Sequence, residues 1–158
     1  MKIISGGQTG VDRAALDVAL KHGIDCGGWC PAGRLDEFGR IPEAYPVREL
    51  EYGGYHDRTV RNVRHSDATV VIYRESLEGG TKVTVDCCKQ LSRPHLLIDS
   101  AQVSSAAAAE LMATFVRRYA VKILNIAGPR QTEWPEGYEY ARRAVEQFVG
   151  LNPPTAAG

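Results

Sequence analysis

The sequence predicts a doubly wound, Rossmann-like α/β domain: a mostly parallel sheet of about five strands with helices on both faces. Three observations carry that expectation. Short β-branched or apolar runs alternate along the chain with stretches of helical periodicity, the pattern of repeated strand–helix–strand units. Ala68-Thr69-Val70-Val71-Ile72-Tyr73 is a nearly continuous apolar run, which calls for cover on both faces as in a parallel sheet. Three strand-to-helix turns, Ser5–Gly10, Glu78–Thr81 and Ala127–Arg130, are unusually rich in glycine, as expected where backbone must come close to a ligand.

In order, residues 2–5 read as a short strand. Residues 11–22 follow as a helix, because Val11, Ala14, Ala15, Val18 and Ala19 fall at i, i+3, i+4, i+7 and i+8; Gly23 then stands where a helix-ending glycine belongs. A second short strand fits residues 24–26. Residues 27–55 form a long excursion rich in Gly, Pro and aromatic residues with little periodicity, a type of segment that commonly carries function or a subunit contact; Val47–Leu50 adds a brief extended piece. Residues 57–65 suggest a short Arg-rich helix with Val60 and Val63 inward. After the strand 68–73, a helix from about Thr81 to Leu91 buries Val83, Cys87 and Leu91. Residues 95–99 are a strand, and residues 102–118 a long Ala-rich helix with Ala108, Leu111, Met112 and Phe115 inward. A last strand covers 122–127, and a closing helix covers 136–149 with Tyr138, Ala141, Val145 and Phe148 on one stripe.

At 158 residues the chain reads as one domain, residues 1–150, followed by a Pro/Ala/Gly tail, 151–158, with no means of ordering itself. Acidic and basic residues balance at 19 each with no basic run, so nucleic acid is not an expected partner. No apolar stretch approaches the roughly 20 residues that span a bilayer, and the N-terminus enters a strand directly, so a cytoplasmic protein with no membrane partner is expected. Four cysteines suit free thiols in that compartment. Cys26 and Cys30 have metal-pair spacing but no second pair or nearby His, so no metal site is assigned.

In a doubly wound fold the three Gly-rich turns lie on one edge of the sheet, where ligands bind beyond the carboxyl ends of the strands. Any one glycine can be explained as making its turn; three turns together point to an anion, because glycine admits backbone N–H groups to a phosphate and helix N-termini favour negative charge. The candidate binding residues are Gly6, Gly7, Gln8, Thr9, Gly10, Gly79, Gly80, Thr81, Gly128 and Arg130, with Arg130 suited to bidentate phosphate contact. The expected partner is a phosphorylated small molecule. Neither the Gly-x-Gly-x-x-Gly fingerprint nor a P-loop occurs, which argues against an ordinary NAD enzyme or ATPase. No nucleophile turn or zinc pair is present, so no catalytic residue is assigned; Asp86 and Asp12 are the candidates should the protein be a hydrolase.

Several motifs together resemble the putative molybdenum carrier family, which is similar to the broader Rossmann-like group that includes the Lonely-guy phosphoribohydrolases and the DprA proteins. They are Ser5–Asp17, Gly28-Trp29-Cys30-Pro31-Ala32-Gly33-Arg34, Arg61-Asn62-Val63 with Ser66–Thr69, Gly79-Gly80-Thr81 with Thr84, and Asn125–Arg130. The resemblance runs from about Lys2 to Val149. It implies a Rossmann-like carrier of molybdenum cofactor, a pterin bearing a phosphate, with Trp29 as a wall for a flat ring and a homo-oligomer, dimer or tetramer, as the assembly. Where the Lonely-guy enzymes carry Gly-Gly-x-Gly-Thr-x-x-Glu, this chain has Gly79-Gly80-Thr81-Lys82-Val83-Thr84-Val85-Asp86. The shorter Asp86 favours binding without turnover. The alternatives are nucleoside monophosphate hydrolysis and a nucleotide-sensing module.

Overall fold

The computed structural model describes residues 1–152. In chain order its elements are β1 (Lys2–Ile4), α1 (Val11–Lys21), β2 (Cys26–Gly27), β3 (Trp29–Cys30), β4 (Leu35–Asp36), β5 (Gly39–Arg40), β6 (Arg48–Glu49), α2 (Tyr55–Arg64), β7 (Ala68–Tyr73), α3 (Gly79–Gln90), β8 (His95–Asp99), α4 (Ser105–Arg118), β9 (Ile123–Ala127) and α5 (Gly137–Leu151). Five strands form one sheet in the order β2-β1-β9-β7-β8, and every pairing in it is parallel. Of the expected tail, Leu151 ends α5 and Asn152 follows it, its side chain donating to the Phe148 carbonyl; residues 153–158 lie outside the described residues. No helix among the described residues is long and apolar enough to cross a membrane.

The sheet order follows from the crossovers. The connection β1–α1–β2 steps one way along the sheet and β7–α3–β8 steps the other. Right-handed crossovers therefore place α1 and α3 on opposite faces. On the first face α5 packs against both α1 and α4, and α2 packs on α3 on the second. Adjacent strands β9 and β7 send their chains to opposite faces, which opens a crevice at their carboxyl ends.

The helices bury the faces their periodicity announces, with local exceptions. Val11, Ala14, Ala15, Val18 and Ala19 of α1 are all buried, as are Ala141, Val145 and Phe148 of α5. Leu111 of α4 is exposed instead of inward, because the small Ala108, Ala109 and Ala113 form the packed face with Met112. Helix α3 departs most. Its buried residues are Thr81, Thr84, Val85, Cys87 and Cys88, whereas Val83 and Leu91 are half-buried. Thr81 and Thr84 face inward where this helix borders a cavity along with the core.

The long excursion is ordered by hydrogen bonds more than by an apolar stripe. Strands β3 and β6 pair in parallel, and β4 and β5 form an antiparallel hairpin. The Arg34 side chain is buried, and its guanidinium donates to the carbonyls of Ile41, Pro42, Tyr45 and Val47, gathering the turn around one cation. Asp17 of α1 accepts from the hydroxyls of Tyr45 and Tyr138 at 2.6 and 2.5 Å, tying the excursion to α1 and α5. Gly28 lets the excursion leave the sheet: its φ is +125°, and a Cβ there would lie 2.0 Å from the Ser5 carbonyl oxygen.

Candidate functional site

A cavity of ≈ 260 Å³ opens at the crevice between β9 and β7. Its floor comes from the strand ends: Gly6 and Gln8 after β1, and Asn125, Ala127 and Gly128 at the end of β9. Gly80, Thr81 and Thr84 of α3 make one wall, and Tyr55, Arg58, Thr59 and Asn62 of α2 make another. Arg130 and Glu133 close the rim. All three Gly-rich turns thus meet at one site.

The second turn has the groups best disposed for an anion. Helix α3 begins without a side-chain cap on its first N–H groups. Those of Gly79, Gly80 and Thr81 make no hydrogen bond to the described residues. Gly80 and Thr81 border the cavity, and a Cβ at Gly80 would have no atom within 4 Å, whereas one at Gly79 would lie 3.6 Å from Glu133 Oε1. Free N–H groups at the positive end of a helix, on the wall of a cavity, are the usual equipment of an oxyanion site.

The opening loop is organised differently. Three of its donors are already engaged: Gln8 N–H with Asp12 Oδ2 at 3.3 Å, Thr9 N–H with Gln8 Oε1 at 3.0 Å, and Val11 N–H with the Pro129 carbonyl. Gly7, Thr9 and Gly10 do not line the cavity, and neither does Gly79. Gly7 packs on Ile41 and Val47, while Gly10 permits the close approach of the third turn, since its Cβ would lie 2.5 Å from Pro129 O. The Thr9 hydroxyl donates to Glu37 and accepts from Gln131 N–H. Gly6 has its own function. Its missing side chain leaves room for the Arg58 guanidinium, whose Nη1 would otherwise sit 1.3 Å from a Cβ.

That guanidinium forms an ion pair with Asp12, Arg58 Nη1 to Asp12 Oδ2 at 3.0 Å, with both side chains largely buried. Burial pushes the Asp12 carboxyl above its ordinary range, although the Arg58 charge and the hydrogen bond from Gln8 pull the other way. Asp12 therefore belongs to the cavity. Asp86 does not: it lies one turn beyond Lys82, pairs with it at 2.7 Å near the surface, and is absent from the lining. Arg130 is at the rim, held by Glu133 at 3.1 Å and close to Glu37 at 3.8 Å.

Glu37, at the β4–β5 hairpin, latches two of the turns together. Its carboxylate accepts from Thr9 of the first turn and from the N–H and hydroxyl of Thr132 beyond the third. Burial opposes its ionisation, but the hydrogen bonds from Thr132 and Thr9 and the Arg130 charge hold its carboxyl below the usual range. A carboxyl lowered in this way contributes stability above the unfolded value near pH 4.5, and that contribution is lost as pH falls through the folded value. Glu37→Ala should cost about 1.5–3 kcal/mol at pH 7. In urea melts the difference from the parent should shrink toward zero in acid; an undiminished difference there would contradict the ionised latch.

Trp29 lies outside this cavity. Its ring packs against His65, centroids 4.7 Å apart, on the far side of α2. The aromatic residue that does line the cavity is Tyr55, with the Arg58 guanidinium 5.7 Å from its ring centroid. Arg58, Asn62 and Tyr55 were not among the expected binding residues. Their signal was present as a polar i, i+3, i+4, i+7 face at 55, 58, 59 and 62, including Asn62, which is only 3% exposed.

The model of the circularly permutated YpsA SLOG family matches residues 3–149. The chain belongs to that family. Among solved structures, one described as "putative molybdenum carrier protein", from Syntrophus aciditrophicus, is 45% identical; the match covers 94% of each chain with a TM-score of 0.91. No curated protein matches the chain. In this chain the cavity lies at the topological switch point, and α2 and α3 wall it with buried Asn and Thr side chains.

Proposed function

We propose that this protein binds a phosphorylated, ring-bearing small molecule in the β9–β7 crevice and acts as its carrier, with molybdenum cofactor as the ligand class. The observation that carries the reading is the pair of free N–H groups at Gly80 and Thr81, on the cavity wall at the start of α3. The neighbour's description as a molybdenum carrier protein supports the choice of cofactor. The phosphate would rest on Gly80 and Thr81, with Arg130 at the rim as its counter-charge. At ≈ 260 Å³ the cavity is below the roughly 300–1,000 Å³ common for whole drug-sized ligands, so the flat ring would extend along Tyr55 at the mouth. When bound, the cofactor supplies molybdenum for transfer; the chain's own residues hold its phosphate and shield it.

Calorimetry and thermal melts with nucleoside monophosphates, a phosphate-bearing pterin and molybdate provide the test. A ligand at a hundred times its Kd should stabilise by about 2.7 kcal/mol, a rise in Tm of roughly 5–10 °C. Gly80→Ala should leave the unliganded Tm within about 2 °C, because its methyl meets nothing, yet weaken binding about tenfold or more by covering the donors. Absence of any shift with every phosphorylated compound would overturn the binding reading. Protein produced with molybdate but free of molybdenum and pterin would remove the cofactor assignment alone.

A further inference from the structure

Helix α2 has two lined faces. Tyr55, Arg58, Thr59 and Asn62 border the first cavity. A step further round the helix, His56, Val60, Arg61 and Arg64 border a second and larger one, ≈ 560 Å³, whose opposite wall is the β3–β6 ladder. Trp29 and Arg48 are directly paired on that ladder and both line the second cavity. Asn62 fixes the wall in place: its Oδ1 accepts from Trp29 N–H and its Nδ2 donates to the Trp29 carbonyl, each at 2.9 Å.

Three guanidiniums and three carboxylates line this cavity, and the two sets are engaged differently. Arg48, Arg61 and Arg64 make no ion pair and no side-chain hydrogen bond among the described residues. Two of the three carboxylates beside them are engaged with backbone, Asp57 with Gly54 N–H and Glu49 with Gly33 N–H, which leaves Glu51. His65, stacked on Trp29, is held below its ordinary pKa first by burial and then by Arg61, Arg64 and Arg93. The Arg61 guanidinium lies 5.8 Å from the Trp29 ring centroid, so cation and indole are already juxtaposed. No residue expected to contact the phosphate in the first cavity belongs to this one.

We infer that the cavity between α2 and the β3–β6 ladder is a second binding site, for a nucleoside polyphosphate, with Arg48, Arg61 and Arg64 holding the phosphates and Trp29 the base. Three unpaired guanidiniums suit a chain of phosphates, each offering a forked pair of donors. An indole wall supplies the stacking surface for a base. The volume suits a small molecule held in one place, which favours a nucleotide over an extended acidic peptide.

The chain's two tryptophans make the test direct. Trp134 is buried with its indole N–H unpartnered, so Trp134→Phe removes an orphan donor and leaves Trp29 as the sole indole. Titration of that variant with ATP should quench Trp29 emission to saturation. Adding Arg61→Ala and Arg64→Ala, both at exposed positions, should weaken this event at least about tenfold. Thr81→Val, on the wall of the first cavity, should leave its midpoint within about twofold, which separates the two sites. No quench, or a quench indifferent to the arginine changes, would overturn the assignment. So would equal binding of tripolyphosphate, or tighter binding of an oligoglutamate peptide. If Trp134→Phe does not fold, calorimetry on the otherwise native chain answers the same question: the Arg61/Arg64 double variant should bind one fewer ATP per chain, and unchanged stoichiometry would refute the site.

Discussion

Replacing Gly128 with alanine is expected to destabilise the protein by about 3 kcal/mol or more, a loss of roughly 6–12 °C in Tm. Gly128 sits at the end of β9, where the chain turns between β7 and α1. A Cβ there would lie 2.3 Å from the Ile72 carbonyl oxygen and 2.7 Å from Val11 Cγ2. Neither neighbour can yield: one is backbone of the central strand β7, and the other is a fully buried side chain. The strain must therefore separate β9 from β7 or push α1 outward, at the crevice that forms the cavity. Gly80→Ala is the matched control, the same chemical change where no atom stands in the way. Urea unfolding followed by circular dichroism measures both. A Gly128→Ala loss below about 1 kcal/mol would show that the junction relaxes freely.

Arg58→Ala carries the second large effect. It leaves the Asp12 carboxylate buried without its cation, and breaking such a pair by removing one partner costs about 3–5 kcal/mol. The lower end is expected, because Asp12 borders the cavity and retains the Gln8 N–H. The pH dependence gives the mechanism away. Asp12 already has a folded pKa above its ordinary 3.8, so stability falls as pH rises from that value through the folded one. Loss of Arg58 raises the folded value further and extends the decline to higher pH. The penalty of Arg58→Ala should thus grow as pH rises above the ordinary carboxyl value of 3.8. Adding Asp12→Asn should recover part of it at pH 8, because the neutral amide removes the unpaired charge. A penalty independent of pH, with no recovery in the double variant, would point to lost packing of the Arg58 stem.

The expected effects at Gly128 and Arg58 also mark what could be read from residues in a line. Alternating strand and helix patterns specified the parallel sheet, and the unbroken apolar run 68–73 specified a central, doubly covered strand. Glycine content specified the edge on which the cavity lies. Those signals are local, since periodicity and turn chemistry act over a few residues. The order within the excursion 27–55 was hidden because one buried guanidinium, Arg34, ties together four carbonyls that no hydrophobic pattern announces.

Within the site, the sequence by itself pointed to three glycine turns on one edge; of its ten candidates, Gly6, Gln8, Gly80, Thr81, Gly128 and Arg130 border the cavity, and Gly7, Thr9, Gly10 and Gly79 do not. Only the tertiary structure decided which glycines face open space and which make room for the protein itself. Gly6 makes way for Arg58, Gly10 for Pro129 and Gly128 for Ile72, whereas Gly80 faces open space. It also moved the aromatic wall from Trp29 to Tyr55 and turned Asp86 outward while keeping Asp12 in the cavity. The physical reason is the same throughout. Glycine reports only that a Cβ is not wanted, and what would meet that Cβ is set by strands, helices and side chains far away in sequence.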